Sequence, residues 1–266
     1  MPHMMNRLSF VLRCVLVSCL AGHAYAAEVK AAPPLVAAAS DLRFAMDEIA
    51  VQFERDTGTP VKMTYGSSGN YYRQIEQGAP FELFMSADES YVLRLYDAGK
   101  LQDKGVLYGV GRIVVFAPPG ATWQVDAKLD GLRAALAAGR IQRFAIANPE
   151  HAPYGRAAEQ SLRKLGLWDR MRPHVIYGEN VSQAAQFASS GSTQGGMFAY
   201  SLALSPGMAT RGTYAIVPEN LHDPLRQRMA LTRGAGAAAR ALYEYLQRPT
   251  ARAIFERYGF MNPADR

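Results

Sequence analysis

The chain is nearly without cysteine. Among its 266 residues only Cys14 and Cys19 are cysteines, and both fall in an amino-terminal stretch that reads as a secretory leader. Arg7 and Arg13 give that stretch a basic start. Cys14 to Gly22 is a short apolar run, and Ala24-Tyr25-Ala26 fits a small-x-small cleavage pattern. Residues 1–26 are therefore read as a signal peptide, which leaves the exported chain with no cysteine. That excludes disulfides, zinc–cysteine sites and thiol catalysis. Leu16-Val17-Ser18-Cys19 also resembles a lipoprotein cleavage box, but Arg13 leaves too short a hydrophobic region before it. A long hydrophobic run is missing as well. The leader is interrupted by Arg13 and is far shorter than the roughly 20 residues a membrane span needs.

A strong charge of either sign is also absent. The net charge is +6, and without Arg7 and Arg13 there remain 27 basic against 23 acidic residues. The basic residues are scattered apart from a loose group at Arg226, Arg228 and Arg233, which reads as solvated surface rather than a nucleic-acid footprint. His151, His174 and His222 lack metal-ligand spacing. There is no Walker A motif and no G-x-G-x-x-G fingerprint, and Gly66-Ser67-Ser68-Gly69 is not the G-x-S-x-G nucleophile elbow. Glu82, Asp88 and Glu89 have no partner spacing for catalysis and read as solvated or capping residues.

What is present is a repeated strand–helix rhythm. Leu35–Ala39, Val61–Tyr65 and Leu83–Ser86 read as strands, alternating with helices over Leu42–Asp56, Asn70–Gln77 and Ser90–Ala98. Gly111–Ala117 is a β-prone run. A second block follows, with strands at Phe144–Ala147, Val175–Tyr177 and Gly195–Ala199. Its helices are Leu129–Ala138, Gly155–Leu165 and Ser182–Ala188. Tyr214–Pro218 reads as a return strand, before closing helices at Ala237–Leu246 and Thr250–Tyr258. This predicts an α/β protein of two lobes, each a mainly parallel sheet flanked by helices. Lobe I is expected over 33–112 plus 217–266 and lobe II over 113–216, with two hinge crossover strands.

Four segments end a strand in small or polar residues and then open a helix. They are Ala37–Asp41, Tyr65–Asn70, Asn148–Gly155 and Gly178–Ser182. Each helix start leaves backbone N–H groups unpartnered and carries a partial positive charge. Ligands of open α/β sheets sit beyond the carboxyl ends of strands, so four converging segments would bind an anion through neutral donors. Gly66 and Gly69 are expected to let a ligand approach the backbone closely. Tyr71 and Tyr72 read as packing residues, and Arg73 as a surface residue or an ion pair with Glu76.

In order and spacing these residues resemble the periplasmic molybdate-binding proteins of ABC importers, within the type II periplasmic binding protein superfamily. The likeness runs from about Leu35 to Phe260. It is carried by Ala37-Ala38-Ala39-Ser40, Gly66-Ser67-Ser68-Gly69, the run Gln74 to Asp88, Ala147 to Gly155, Gly178-Glu179-Asn180-Val181 and the tail Ala253 to Phe260. The resemblance implies a two-lobed receptor, not an enzyme, that closes over one molybdate or tungstate dianion. It also implies a periplasmic location and delivery to a membrane permease and its ATPase, with no cofactor and no nucleic acid. A monomer is expected. Carried over by motif, the donors are the hydroxyl and N–H of Ser40, the hydroxyl and N–H of Ser68, the N–H of Val181 and Tyr154. The resemblance leaves open whether Tyr154 gives its hydroxyl besides its N–H. No direct protein–metal ligand is implied.

The chain departs from the family at two positions. Tyr200 is out of register by one residue with a tyrosine common in the family, so its role is not carried over. Asp41 stands where many members are neutral. A carboxylate in the cavity would repel a dianion by several kcal/mol at low effective dielectric. Asp41 is therefore expected to cap its helix facing outward, with its N–H left available to the ligand. The alternatives are a receptor for another tetrahedral oxyanion, such as sulfate or phosphate, and an exported hydrolase. The hydrolase needs a base beside a nucleophile, and Ser40 and Ser68 show no evident histidine partner.

Overall fold

The computed structural model describes residues 32–265. The expected signal peptide, its cleavage site and both cysteines lie outside the described residues. Ten strands form two five-stranded sheets. The first holds β1 (Leu35–Ala39), β2 (Lys62–Gly66), β3 (Leu83–Ser86), β4 (Val106–Gly111) and β10 (Leu225–Leu231), in the order β2-β1-β3-β10-β4. The second holds β5 (Ile113–Ala117), β6 (Phe144–Ala147), β7 (Val175–Gly178), β8 (Gly196–Ala199) and β9 (Thr213–Ile216), in the order β7-β6-β8-β5-β9. In each sheet one strand runs against its neighbours, β10 in the first and β5 in the second. The helices are α1 (Arg43–Thr57), α2 (Ser68–Glu76), α3 (Glu89–Asp97), α4 (Asp130–Ala137), α5 (Pro153–Lys164), α6 (Trp168–Met171), α7 (Val181–Ser189), α8 (Tyr200–Ala203), α9 (Ala237–Tyr245) and α10 (Pro249–Arg257).

Strand periodicity sorts the first core. Successive side chains of a strand point to opposite faces. Val36 and Ala38 of β1, with Leu83 and Met85 of β3, join one apolar cluster together with α1 residues Met46, Ile49 and Phe53. Ala37 and Phe84 face the other way, onto Ile75 of α2 and Val92 and Leu95 of α3. Burying a side chain such as Phe84 completely stabilises the fold by about 1.5–3 kcal/mol. Helix α1 ends where Gly58 takes the left-handed conformation, φ 69°, and returns its N–H to the Glu54 carbonyl.

Two strands escape the sequence reading. In β4 the glycines at 109 and 111 mask the pattern. In β10, Leu225-Arg226-Gln227-Arg228-Met229 alternates cleanly between buried and partly exposed residues, but its inward phase includes Gln227 and its outward phase two arginines. Arg226 and Arg228 do not form a loose basic group, because both pair with Glu89. The Gly111–Ala117 run is also two elements. The chain leaves the first sheet at Gly111 and enters the second at Ile113, with Arg112 between them. The return crossing runs from the end of β9 to the start of β10.

Candidate functional site

The helix starts meet. Ser40, Asp41, Ser68, Tyr154 and Val181 line one cavity, together with Gly66, Ser67, Ala87, Ala152 and Pro153. Its empty volume, counted out to its mouth, is about 180 Å³, and it lies at the carboxyl ends of β1, β2, β3, β6 and β7. Roomier clefts lie elsewhere, one of about 500 Å³ beside Tyr108 and Phe255, but it gathers no helix start. No Lys or Arg side chain lines the small cavity.

Each wall residue is placed by local sequence. Small apolar residues carry β1 into the buried sheet up to Ala39, and the chain turns at once into a helical turn over Ser40–Leu42 that runs on into α1. Ser67, in extended conformation, precedes α2. Pro153 occupies the first turn of α5, where a missing N–H costs nothing. Asn180 caps α7 by accepting from the Gln183 N–H at 3.1 Å.

The two serine hydroxyls are poised as donors. Ser68 Oγ accepts from the Ala87 N–H at 3.0 Å, and Ser40 Oγ accepts from the Ser182 N–H at 3.2 Å. A hydroxyl that accepts one hydrogen bond keeps its own hydrogen to give. Cavity anions would thus meet hydroxyl hydrogens and first-turn N–H groups, which have no intrahelical partner.

Asp41 corrects the outward-cap expectation. It is 1% exposed and its side chain turns inward to Tyr154 and Gln227 rather than outward. Its Oδ2 accepts from the Tyr154 hydroxyl at 2.9 Å and from Gln227 Nε2 at 2.7 Å. Gln227 Nε2 also donates to the Tyr154 hydroxyl at 2.9 Å, and the Tyr108 hydroxyl lies 2.7 Å from Gln227 Oε1. Burial pushes the Asp41 carboxyl up to about 6, against the opposing pull of Gln227, Tyr154 and its own backbone N–H. Burial, with Asp41 nearby, holds the Tyr154 and Tyr108 hydroxyls well above the ordinary tyrosine range. The Tyr154 hydroxyl is therefore engaged by Asp41, and its first-turn N–H is what it can offer the cavity. Gly111 makes this possible, because a Cβ there would stand 2.2 Å from the Tyr154 hydroxyl.

The two glycines of the second segment differ: Gly66 lines the cavity, while Gly69 lets the other lobe pack against it. A Cβ on Gly69 would stand 2.7 Å from the His151 carbonyl, which accepts the Gly69 N–H at 2.9 Å. A Cβ on Gly66 would press on the Tyr71 ring. His151 Nδ1 lies 2.9 Å from Ser67 Oγ and its Nε2 lies 3.6 Å from Glu179. Ser182 Oγ donates to the Ser40 carbonyl at 2.8 Å, and Ser201 Oγ to the Asp41 carbonyl at 2.8 Å. Arg156 of α5 pairs with Asp88, and Asn70 with Glu179. The walls of the cavity are thus bonded directly across the lobes. Sequence reasoning missed Ser67, His151, Ser182, Ser201 and Gln227, and only the position of the first three within the four segments could have signalled them. Arg73 pairs with Asn70 and not with Glu76. Tyr200 is not among the lining residues. Its ring packs under Arg112, 4.7 Å from the guanidinium, and against Tyr214. Among the described residues no group of His, Cys, Asp and Glu could hold a metal ion, and no helix is long and apolar enough to cross a membrane.

Two α/β lobes joined by paired crossings and meeting over a cavity of helix starts define a two-lobed periplasmic binding protein fold. The chain belongs to the bacterial extracellular solute-binding protein family, whose model matches residues 34–261. It is 36% identical over 264 residues to the molybdate-binding protein ModA of Azotobacter vinelandii, covering 98% of this chain and 99% of that one. It is 35% identical over 231 residues to ModA of Rhodobacter capsulatus, covering 85% and 87%. The solved Azotobacter vinelandii periplasmic molybdate-binding protein superposes with a TM-score of 0.78 at 30% identity, over 86% of this chain and 99% of that one.

Proposed function

We propose that this protein captures molybdate, and equally tungstate, in the periplasm and delivers it to the permease and ATPase of an ABC importer. It acts as a binding protein and performs no catalysis on its cargo. The observation that carries this reading is the shared cavity of Ser40, Asp41, Ser68, Tyr154 and Val181, walled by hydroxyls and helix starts from both lobes. The donors are the Ser40 and Ser68 hydroxyls and the N–H groups of Ser40, Asp41, Ser68, Tyr154 and Val181. Such a site holds charge with oriented dipoles in a dry surround. The anion is bound through its oxygens, and no protein atom ligates the metal.

Closure follows from the same geometry. An anion held by donors from both lobes adds to the bonds that already join them, including Ser182–Ser40 and His151–Ser67. The closed form is then the one that docks on the permease. Ion size separates molybdate and tungstate from the smaller sulfate, because fixed donors cannot follow a shorter anion inward. Calorimetry with molybdate, tungstate, sulfate and phosphate tests the assignment. Tight binding of the first two and weak binding of the last two is expected. Sulfate bound as tightly as molybdate would sink the size argument, and no binding of either metal oxyanion would sink the assignment.

A further inference from the structure

The carboxyl of Asp41 poses a problem that the donor set leaves unsolved. It lines the anion cavity, where an ionised carboxylate would repel the cargo. Its two oxygens are not equivalent. Oδ2 takes the two side-chain donors, from Tyr154 and Gln227. Oδ1 is buried without any hydrogen-bond partner, one of only two such side-chain atoms among the described residues. An orphaned buried oxygen in a well-bonded cluster needs an explanation. With two N–H and O–H donors already on Oδ2, a proton on this carboxyl belongs on Oδ1. The protein offers it no acceptor there, and an anion filling the cavity that Asp41 lines would supply one.

We infer that Asp41 is protonated on Oδ1 when the cleft is filled and donates a hydrogen bond from that O–H to the bound oxyanion, so that each captured dianion brings one proton into the cleft. The proton comes from solvent and returns there on release, and no covalent bond to the cargo is made or broken. Protonation removes the repulsion and replaces it with an attractive hydrogen bond. The inference rests on the proposed anion site. Its chemistry is suited to a fully deprotonated oxyanion, which accepts a hydrogen at every oxygen.

Apart from Asp41 itself, the hydrogen-bonded cluster around the carboxyl holds no charged side chain. Tyr154 from α5 and Tyr108 from β4 face the carboxyl cluster, both kept un-ionised by burial. Gln227 from β10 and the Ser201 hydroxyl from α8 are neutral. From α7 the neighbouring side chain is Ser182, and from β2 Tyr65, whose hydroxyl goes to Asp47. Arg43, at the start of α1, lines a different surface cleft with Arg211. Burial already lifts the free Asp41 carboxyl to about 6, so its proton is absent at neutral pH and is taken up on binding. The sign follows directly. Binding favours the protonated form, so affinity is flat below about pH 6 and falls about tenfold per unit above it.

Calorimetric titration of the full exported chain with molybdate at about pH 7.5, in two buffers of different ionisation heat, counts the protons. Close to one proton taken up per anion is expected. Asp41→Asn, which keeps an acceptor for Tyr154 and Gln227 and offers an N–H in place of the O–H, should take up none, and its affinity should not change between about pH 6 and about 8.5. His151→Gln should keep the uptake, because that histidine contacts Ser67 at the cavity wall and not the Asp41 carboxyl. Molybdate binding with no proton uptake by the unmodified protein overturns the inference and leaves the molybdate assignment standing. Uptake that survives in Asp41→Asn but vanishes in His151→Gln overturns it too. No molybdate binding at any pH overturns the assignment and the inference together. Should Asp41→Asn fail to fold, the two-buffer count on the unmodified protein and on His151→Gln still decides.

Discussion

The two lobes are built to one plan and furnish the cavity in different ways. In each sheet a single antiparallel strand holds the fourth position, next to an edge. In the second lobe that strand is β5, Ile113-Val114-Val115-Phe116-Ala117, buried and apolar throughout. In the first lobe it is β10, which carries the fully buried Gln227. Lobe I supplies the hydroxyls of Ser40 and Ser68 and the carboxyl of Asp41. In the proposed site lobe II supplies mainly backbone, at Tyr154 and Val181. One lobe thus tunes chemistry with side chains while the other offers dipoles that substitution hardly alters. A polar residue in a core strand signals which lobe does the tuning.

Gln227→Leu breaks that contrast most severely. It makes β10 resemble β5, suits the strand pattern and removes the donor to Asp41 and Tyr154. A buried polar group left without its partner costs about 1–3 kcal/mol, and three groups lose one here, Asp41, Tyr154 and Tyr108. A loss of about 3 kcal/mol in chemical unfolding is expected. A loss below about 0.5 kcal/mol would mean that the cluster is not a stability element.

The pH dependence of stability tests the same cluster. Asp41 has a folded value of about 6 against an ordinary 3.8. A raised folded value means that the native state holds the proton more tightly than the unfolded chain. The stabilisation is therefore complete below about pH 4 and fades as pH rises through about 6, by roughly 3 kcal/mol in all. Unfolding of Asp41→Asn across the same range should lack this slope. Parallel curves for the two proteins would show that Asp41 is not its source.

Ser68→Ala and Ser40→Ala separate the lobes by affinity. Each removes a hydroxyl donor to a charged ligand, worth about 2 kcal/mol or roughly a thirtyfold loss for molybdate. Val181→Ala keeps its N–H and should lose less than about threefold. Equal losses at all three positions would erase the distinction between side-chain and backbone walls. The smallest effect belongs to the exposed Arg163–Glu159 pair of α5. Glu159→Gln should change stability by no more than about 0.5 kcal/mol and leave affinity untouched.

Much of the architecture was readable from local pattern. Leu83–Ser86 and Phe144–Ala147 stand where apolar runs predict strands, and the glycine at 58 stops its helix. The failures have a common physical cause. Strand β10 hides because Gln227 sits in the apolar phase, and that choice makes sense only beside Asp41 and Tyr108. Gly69 looks like a ligand-approach residue until His151 of the other lobe is seen against it. The Asp41 error came from treating capping as a local matter. A buried carboxyl can be retained when distant donors meet it, and spacing along the chain says nothing of those donors.

The order of residues alone determined the strand–helix alternation, the two blocks and the small polar residues at helix starts, because each depends on periodicity, turn chemistry and capping within a few residues. The direction of the Asp41 side chain was decided only in three dimensions. Its partners Tyr154 and Gln227 lie 113 and 186 residues away. Desolvation and hydrogen bonding act through space, so no local pattern could announce that a carboxyl, an amide and two phenols would be buried together beside the cavity.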